Sequence, residues 1–310
     1  MNATKALDNL FQQDFCKREF KAIGTTAEVV INGSKQIDRA VQILKMQLDE
    51  LDRAASRFRD DSEVSILKSG NPAVVSPLLF EILEIAQWAY NVSCKKLNPF
   101  IGNSLVSLGY DRDFEEIETL SGKYLENNVV KDFDSIVLNK KTRLVKIDPG
   151  TVLDLGCIAK AFASDKASKS IADDLKCDVL VSLGGDVSVQ NSLGCTRWPI
   201  GIADRSGDIN GVEEVIEISE GGLATSGTVS RSWGNGEVLN HHIIDPLTGQ
   251  SVGTPFRTVS VHAKDALNAN VAATTALIMG EASIEWLNAS ELDARLVTEE
   301  GKIVKLNRWP

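Results

Sequence analysis

Residues 178–190 read DVLVSLGGDVSVQ, two β-branched runs separated by a pair of glycines and an aspartate. Runs of this kind predict strands at 178–183 and 187–190, because glycine reaches the positive φ that a tight hairpin turn requires. Strands joined this closely are antiparallel, since a parallel pair needs a crossover of a dozen or more residues. The glycine pair admits a second use, as a backbone surface flat against a planar ligand, with Asp186 accepting hydrogen bonds from hydroxyls or an amine. The turn is the simpler reading.

Outward toward the C-terminus, strands are expected at 198–203, 214–219, 238–244 and 257–262. A helix follows over 266–279, a short one near 284–287, and a closing hairpin joins 294–298 to 302–306. Toward the N-terminus a hairpin pairs 135–138 with 143–147, and a helix covers 157–175. Ser76 and Pro77 open another helix, with Leu79, Leu83, Ala86 and Tyr90 on one face. Ser34 caps a helix whose apolar positions Ile37, Val41, Leu44, Leu48 and Leu51 recur every three or four residues. Residues 22–31 read as the first strand, residues 1–20 as a mobile arm or short helix, and 109–134 as an acidic surface insertion. Strands in series with helices between the blocks predict an α+β fold, antiparallel sheet backed by helices. No Pro, Gly or Ser linker divides residues 21–310, which are expected to form a single domain.

Of 310 residues, 43% are apolar and 25% charged, a globular composition. The net charge of −10 and the absence of a Lys/Arg run exclude a nucleic-acid surface, so any bound phosphate must be held locally. The five cysteines (Cys16, Cys94, Cys157, Cys177, Cys195) are odd in number and lack metal-ligand spacing, which predicts reduced thiols. The first twenty residues hold neither an apolar leader nor a lipid-anchor site, so a cytoplasmic protein without a membrane anchor is expected.

Three further segments carry chemistry. In LDLGCIAK (153–160) a strand ends in an acid and turns at glycine into a helix. The helix start favours an anion and Lys160 adds a charge, while Asp154 is either a helix cap or a ligand contact. In DALNANVAATTA (265–276), Asn270 and Thr274 share one helix face, which suits a hard cation or close packing. In ATSGTVSRSWGNGEVLNHHIIDPLTG (224–249), Thr225, Ser226 and Gly227 are expected on a loop. Within the 238–244 strand, His241 and His242 point to opposite sheet faces.

In order and spacing these segments resemble the ApbE family, the FAD:protein FMN transferases formerly linked to thiamine biosynthesis. The resemblance rests on AIGTTAEV, SRFRDDSEVS, LDLGCIAKAFASD, SLGGDV, LATSGTVSRSW, NHHIIDPLTGQSV and ANVAATTALIMG, and spans nearly the whole chain. It implies a T-fold-like α+β architecture with an FAD cleft between two halves, and a divalent metal, usually Mg2+, at the FAD pyrophosphate. It also implies transfer of FMN from FAD to a Thr or Ser hydroxyl of an acceptor flavoprotein, with release of AMP. By resemblance His242 is the base for the incoming hydroxyl. Asp154, Lys160, Asp186, Thr225, Ser226 and Gly227 then lie toward the flavin nucleotide. Cys157 through its carbonyl, Asn270 and Thr274 occupy metal-ligand positions.

The chain departs from the family pattern at several positions. Asn270 stands where the family has an aspartate, the charged ligand of the metal, and Asn98 replaces another acid. Ala161 replaces a helix glycine, and Ile23 the methionine that leads the first strand. Loss of both acids supports an alternative, an FAD-binding relative with weak or no transferase activity, acting as an FAD pyrophosphatase or in flavin storage. A hydrolase built from Ser226, His242 and Asp245 lacks the nucleophile elbow.

Overall fold

The computed structural model describes residues 15–33, 36–117, 129–192, 194, 196–204, 208, 210–235 and 238–310. The elements run β1 (Phe15–Ala22), β2 (Thr25–Asn32), α1 (Ile37–Ala55), α2 (Glu63–Ile66), β3 (Ala73–Val74), α3 (Pro77–Val92), α4 (Gly102–Ser107), β4 (Val137–Asn139) and β5 (Leu144–Lys146). They continue with α5 (Gly156–Leu175), β6 (Val179–Leu183), β7 (Asp186–Gln190), β8 (Trp198–Ala203), β9 (Val212–Ile218), β10 (Gly222–Gly227), β11 (Ser232–Asn235) and β12 (Val238–His241). Last come β13 (Ile244–Asp245), β14 (Gln250–Ser251), β15 (Phe256–Ala263), α6 (Ala266–Met279), α7 (Ser283–Ala289), β16 (Asp293–Thr298) and β17 (Ile303–Leu306). Among the described residues no helix is long and apolar enough to cross a membrane.

The contacts divide the chain into two compact units, one drawn from 1–48, 160–230 and 255–310, the other from 49–159 and 231–254. The units interleave in sequence, which is why no linker marks them.

The first unit is built on an eight-stranded sheet of order β1-β2-β6-β7-β10-β15-β16-β17, antiparallel at every step. The 178–190 hairpin is its centre. Gly184 (φ 65°) and Gly185 (φ 97°) make the turn, and Asp186 opens β7. Alternation along the strands sorts side chains to two faces. On one, Val30, Leu180, Val187, Val189 and Leu223 form a core with Trp198, Ile200, Ile202, Ile216 and Ile218 of the β8–β9 ribbon. The ribbon is also tied by charge, because the buried Arg295 reaches Glu213 at 2.7 Å and Glu214 at 3.0 Å. On the other face α6 packs against β7, β10 and β15.

Two expectations change here. Residues 15–22 are not an arm or short helix but a strand in full register with β2, joined by the left-handed pair Ile23 (φ 45°) and Gly24 (φ 64°). Ladder hydrogen bonds and the stacking of Phe15 on Trp198 at 5.0 Å hold it, although its own apolar pattern is weak. Thr225, Ser226 and Gly227 lie in β10, not on a loop. Small residues have low strand propensity, but a position between β7 and β15 supplies the ladder that propensity does not. The expected cap Ser34, residues 1–14, residues 118–128 and Cys195 lie outside the described residues.

The second unit carries α2, α3, α4, the small sheet β3-β5-β4 and the ribbons β11–β12 and β13–β14. Helix α3 starts as read, with the Ser76 hydroxyl accepting from Leu79 N at 3.1 Å and Pro77 in the first turn. A core of Leu105, Leu108, Tyr110, Trp233 and Ile244 is closed by the Trp233 indole donating to the Leu108 carbonyl at 2.8 Å.

Candidate functional site

In the first unit the polar atoms that matter converge on the helix-facing side of β7 and β10. Val187 and Leu223 face the ribbon, so Asp186 and Ser226 face the helices. Helix α6 has no charged residue between Ala266 and Met279, and its alanines let it lie close to the sheet. Its start is fixed twice. The Asp265 carboxylate accepts from Asn268 N at 2.7 Å, and the Asp165 carboxylate accepts from Ala266 N and Leu267 N, each at 2.9 Å. Burial pushes the Asp165 carboxyl up from its ordinary value, against the pull of Ser188 and those two amides.

This seating places Asn270 against Asp186. The Asn270 amide donates from Nδ2 to Asp186 Oδ1 at 2.8 Å, with the residues 7% and 4% exposed. Asn270 Oδ1 is buried with no hydrogen-bond partner. One turn on, the Thr274 hydroxyl is 2.7 Å from that of Ser226, both buried. A buried carbonyl left unpartnered costs about 1–3 kcal/mol, so a ligand is its natural complement. Asn270, Thr274 and Ser226 offer neutral oxygens beside one carboxylate, a donor set that fits a hard cation such as Mg2+ or Ca2+. Among the described residues no group of three or more His, Cys, Asp and Glu is placed to hold a metal ion. Thr225 faces away from Ser226, as its neighbour in a strand must, and its hydroxyl lies 2.8 Å from Ser260.

In the second unit Asp154 serves the start of α5. Its Oδ1 accepts from Gly156 N at 2.9 Å and its Oδ2 from Arg57 Nε at 2.6 Å, so the cap reading is the one this geometry has. The Arg57 side chain is only 5% exposed and lies between the rings of Phe58 and Tyr110, 4.1 and 4.5 Å from their centres. A second donation, from Nη1, goes to the Tyr110 carbonyl at 2.8 Å. Arg57 is a residue that sequence reading missed, because its partner Asp154 lies 97 residues away and no local pattern joins them. Cys157 is half-buried in the first turn of α5, and Lys160 lies in the same helix.

The two histidines separate, but not as opposite faces of one strand. Strand β12 ends at His241, and His242 lies in the bend before β13. His241 is buried, its Nε2 3.1 Å from the Val252 carbonyl, and burial pushes its imidazole down to about 4. It is therefore a neutral core group at ordinary pH. His242 is half-buried and its backbone N–H donates to the Arg231 carbonyl at 3.3 Å. A Ser, His, Asp hydrolase gains nothing from this geometry. The hydroxyl of Ser226 is engaged with Thr274, and Asp245 Oδ1 accepts from Leu247 N at 3.0 Å in its own turn.

A sequence model of the ApbE family matches residues 23–296, so the chain belongs to the ApbE family. Among curated relatives, the FAD:protein FMN transferase of Treponema pallidum (strain Nichols) is 26% identical over 291 residues, covering 83% of this chain and 77% of its own. That of Klebsiella pneumoniae (strain 342) is 27% identical over 271 residues, covering 86% and 83%. Among solved structures, the ApbE protein of Thermotoga maritima superposes with a TM-score of 0.81 at 22% identity, covering 94% of this chain and 96% of its own. The flavin transferase ApbE of Vibrio cholerae superposes at 0.79 and 21%, covering 96% and 98%. These likenesses establish the α+β, antiparallel architecture expected from the sequence.

Proposed function

We propose that the chain is an FAD:protein FMN transferase that moves FMN from FAD to a Thr or Ser hydroxyl of an acceptor flavoprotein, with AMP as the leaving group. The names of its relatives support the substrate pair. The observation that carries the chemistry is the buried, unpartnered Asn270 Oδ1, held outward by Asp186 on the face that bears Thr274. A divalent cation such as Mg2+, bound by Asn270 and Thr274, would supply positive charge to the pyrophosphate as its bridging bond breaks. Asp186 fixes the first of those ligands. Lys160 would add charge toward the phosphates, with Asp154 setting the helix start before it. Thr225, Ser226 and Gly227 contribute as strand, with Ser226 holding Thr274 in place and Thr225 tied to Ser260. His242 accepts the proton of the acceptor hydroxyl as its oxygen attacks the phosphorus of the FMN half, and AMP departs with the bridging electron pair. Imidazole is the side chain whose unperturbed charge change lies closest to neutral pH, which suits the residue type to that role.

The test uses purified protein, FAD, Mg2+ and a peptide carrying a Thr acceptor, read by mass spectrometry of the peptide and chromatography of nucleotides. Flavinylated peptide with equimolar AMP is the expected result, and neither product at saturating FAD refutes the proposal. FMN plus AMP with unmodified peptide identifies water as the acceptor, the pyrophosphatase reading. His242→Ala should slow AMP release by about 10²–10⁴-fold while leaving FAD affinity near the parent value. An unchanged rate removes His242 as the base.

A further inference from the structure

Asn270 is neutral, yet it has a carboxylate attached to it. Its Nδ2 donates to Asp186 Oδ1 at 2.8 Å inside the protein, and that bond decides which way the amide points. With the amide reversed, its carbonyl oxygen would meet the Asp186 carboxylate, acceptor against acceptor, at hydrogen-bond distance. The carboxylate therefore locks Asn270 Oδ1 away from β7, where the structure leaves it buried and unpartnered. The backbone reinforces the lock from both sides. Asp186 is the first residue after the Gly184–Gly185 turn, with its carbonyl accepting from the Ser164 hydroxyl at 2.9 Å, and α6 is pinned at its start by Asp165.

We propose that Asp186 is the positioning residue of the cation site, fixing the Asn270 carbonyl as a ligand and supplying from β7 the negative charge that α6 lacks. This rests on the reading above that a divalent cation binds at Asn270 and Thr274. Charge on the neighbouring strand polarises the amide, so electron density on Oδ1 rises and the ligand strengthens without becoming an anion. The site is then an amide–carboxylate unit with one net negative charge, shared across a hydrogen bond between residues 84 positions apart.

Mn2+ is the probe, titrated into the full chain with and without FAD and followed by the electron paramagnetic resonance of free Mn2+. Thermal melts are read alongside. Asp186→Asn should weaken Mn2+ binding by about tenfold or more, the usual effect of removing an outer partner of a ligand. Asn270→Asp should lower the melting temperature of the cation-free protein, because two carboxylates would then face each other, and should show a larger Mn2+-induced rise than the parent. The exchange Asp186→Asn with Asn270→Asp keeps one amide, one carboxylate and one hydrogen bond. It should melt near the parent and bind Mn2+ at least as tightly.

Parental affinity in Asp186→Asn overturns the proposal, as does an exchanged pair that binds as weakly as that single variant. If Asp186→Asn does not fold, the exchanged pair decides alone. A parent that binds no Mn2+ in either state of FAD loading refutes the cation reading itself, whereas a parent that binds while Asp186→Asn binds equally refutes only the role of Asp186.

Discussion

Gly222→Ala should dislodge the helix that carries Asn270 and Thr274, although it adds only one methyl group. Gly222 opens β10, and a Cβ built there would stand 2.1 Å from Ala266 N and 2.5 Å from both Ala266 Cα and the Asp265 carbonyl carbon. All three are backbone atoms, so no rotamer relieves the clash, and restoring van der Waals contact requires α6 to retreat by about 1 Å or more. Ala266 N is also the atom held at 2.9 Å by Asp165, so that retreat breaks the cap. Overpacking costs about 1–3 kcal/mol and loss of a carboxylate cap about 0.5–2 kcal/mol, together roughly 2–5 kcal/mol. At about 2–4 °C per kcal/mol for a chain of this size class, the melting temperature should fall by about 10 °C. Circular dichroism melts read the loss and Mn2+ titration reads the displacement of Asn270. The control is Gly253→Ala, where an added Cβ meets nothing within 4 Å, and it should stay within about 0.5 kcal/mol of the parent. If Gly222→Ala melts with the control, the seating of α6 on β10 is not what fixes this face.

Asp154→Ala should destabilise by about 3–5 kcal/mol in denaturant titration, because it strands the buried Arg57 guanidinium. The double variant Asp154→Ala/Arg57→Met should cost less than the two singles summed, and strict additivity would refute the pairing. Asn98→Asp should cost about 1–3 kcal/mol, because the Nδ2 that donates to the Lys131 carbonyl at 2.8 Å becomes a second acceptor. Equal stability of the two proteins would show that this amide donates nothing essential. His241 titrates near 4 when folded and near 6.5 when unfolded, so the unfolded chain binds the proton more tightly. The neutral ring's stabilising contribution is then complete above about pH 6.5 and lost as the pH falls toward 4, up to about 3 kcal/mol. His241→Gln should remove that part of the acid sensitivity, and parallel stability–pH curves for the two proteins would refute it.

The elements best read from sequence are those whose ends carry their own chemistry. Helix α6 runs over the expected 266–279 because Asp265 caps it and Gly280 stops it, and both signals are local. The β6–β7 hairpin was equally legible, since its turn needs positive φ at two positions and glycine stands at both. Strand β10 was not, because its helix-facing Gly222, Ala224 and Ser226 suit the closeness of α6 rather than strand propensity. At the candidate site, the resemblance named residue types, but their partners in the fold were not legible. Asn270 finds Asp186 across 84 residues and Arg57 finds Asp154 across 97, separations over which no periodicity reports.

The Asn270–Asp186 pair also bears on what an asparagine, in place of the acid that the resemblance implies, does at position 270. Two ionised carboxylates at 2.8 Å in a buried site cannot both persist without a cation, so an aspartate at 270 would make the empty site unstable or force it to hold a proton. With asparagine the site is satisfied on the Asp186 side whether or not a cation is present, and only Oδ1 waits for a ligand. Under the proposed role of Asp186, the protein alone then offers a cation one negative charge, and the pyrophosphate of FAD must supply the remainder. Cation and nucleotide affinities become reciprocally coupled, each strengthening the other by the same factor. Mn2+ titrations with and without FAD measure that factor from one side, and FAD titrations with and without Mn2+ measure it from the other. A cation that binds equally well in both states of FAD loading would place it away from the phosphates, and Asn270 with it.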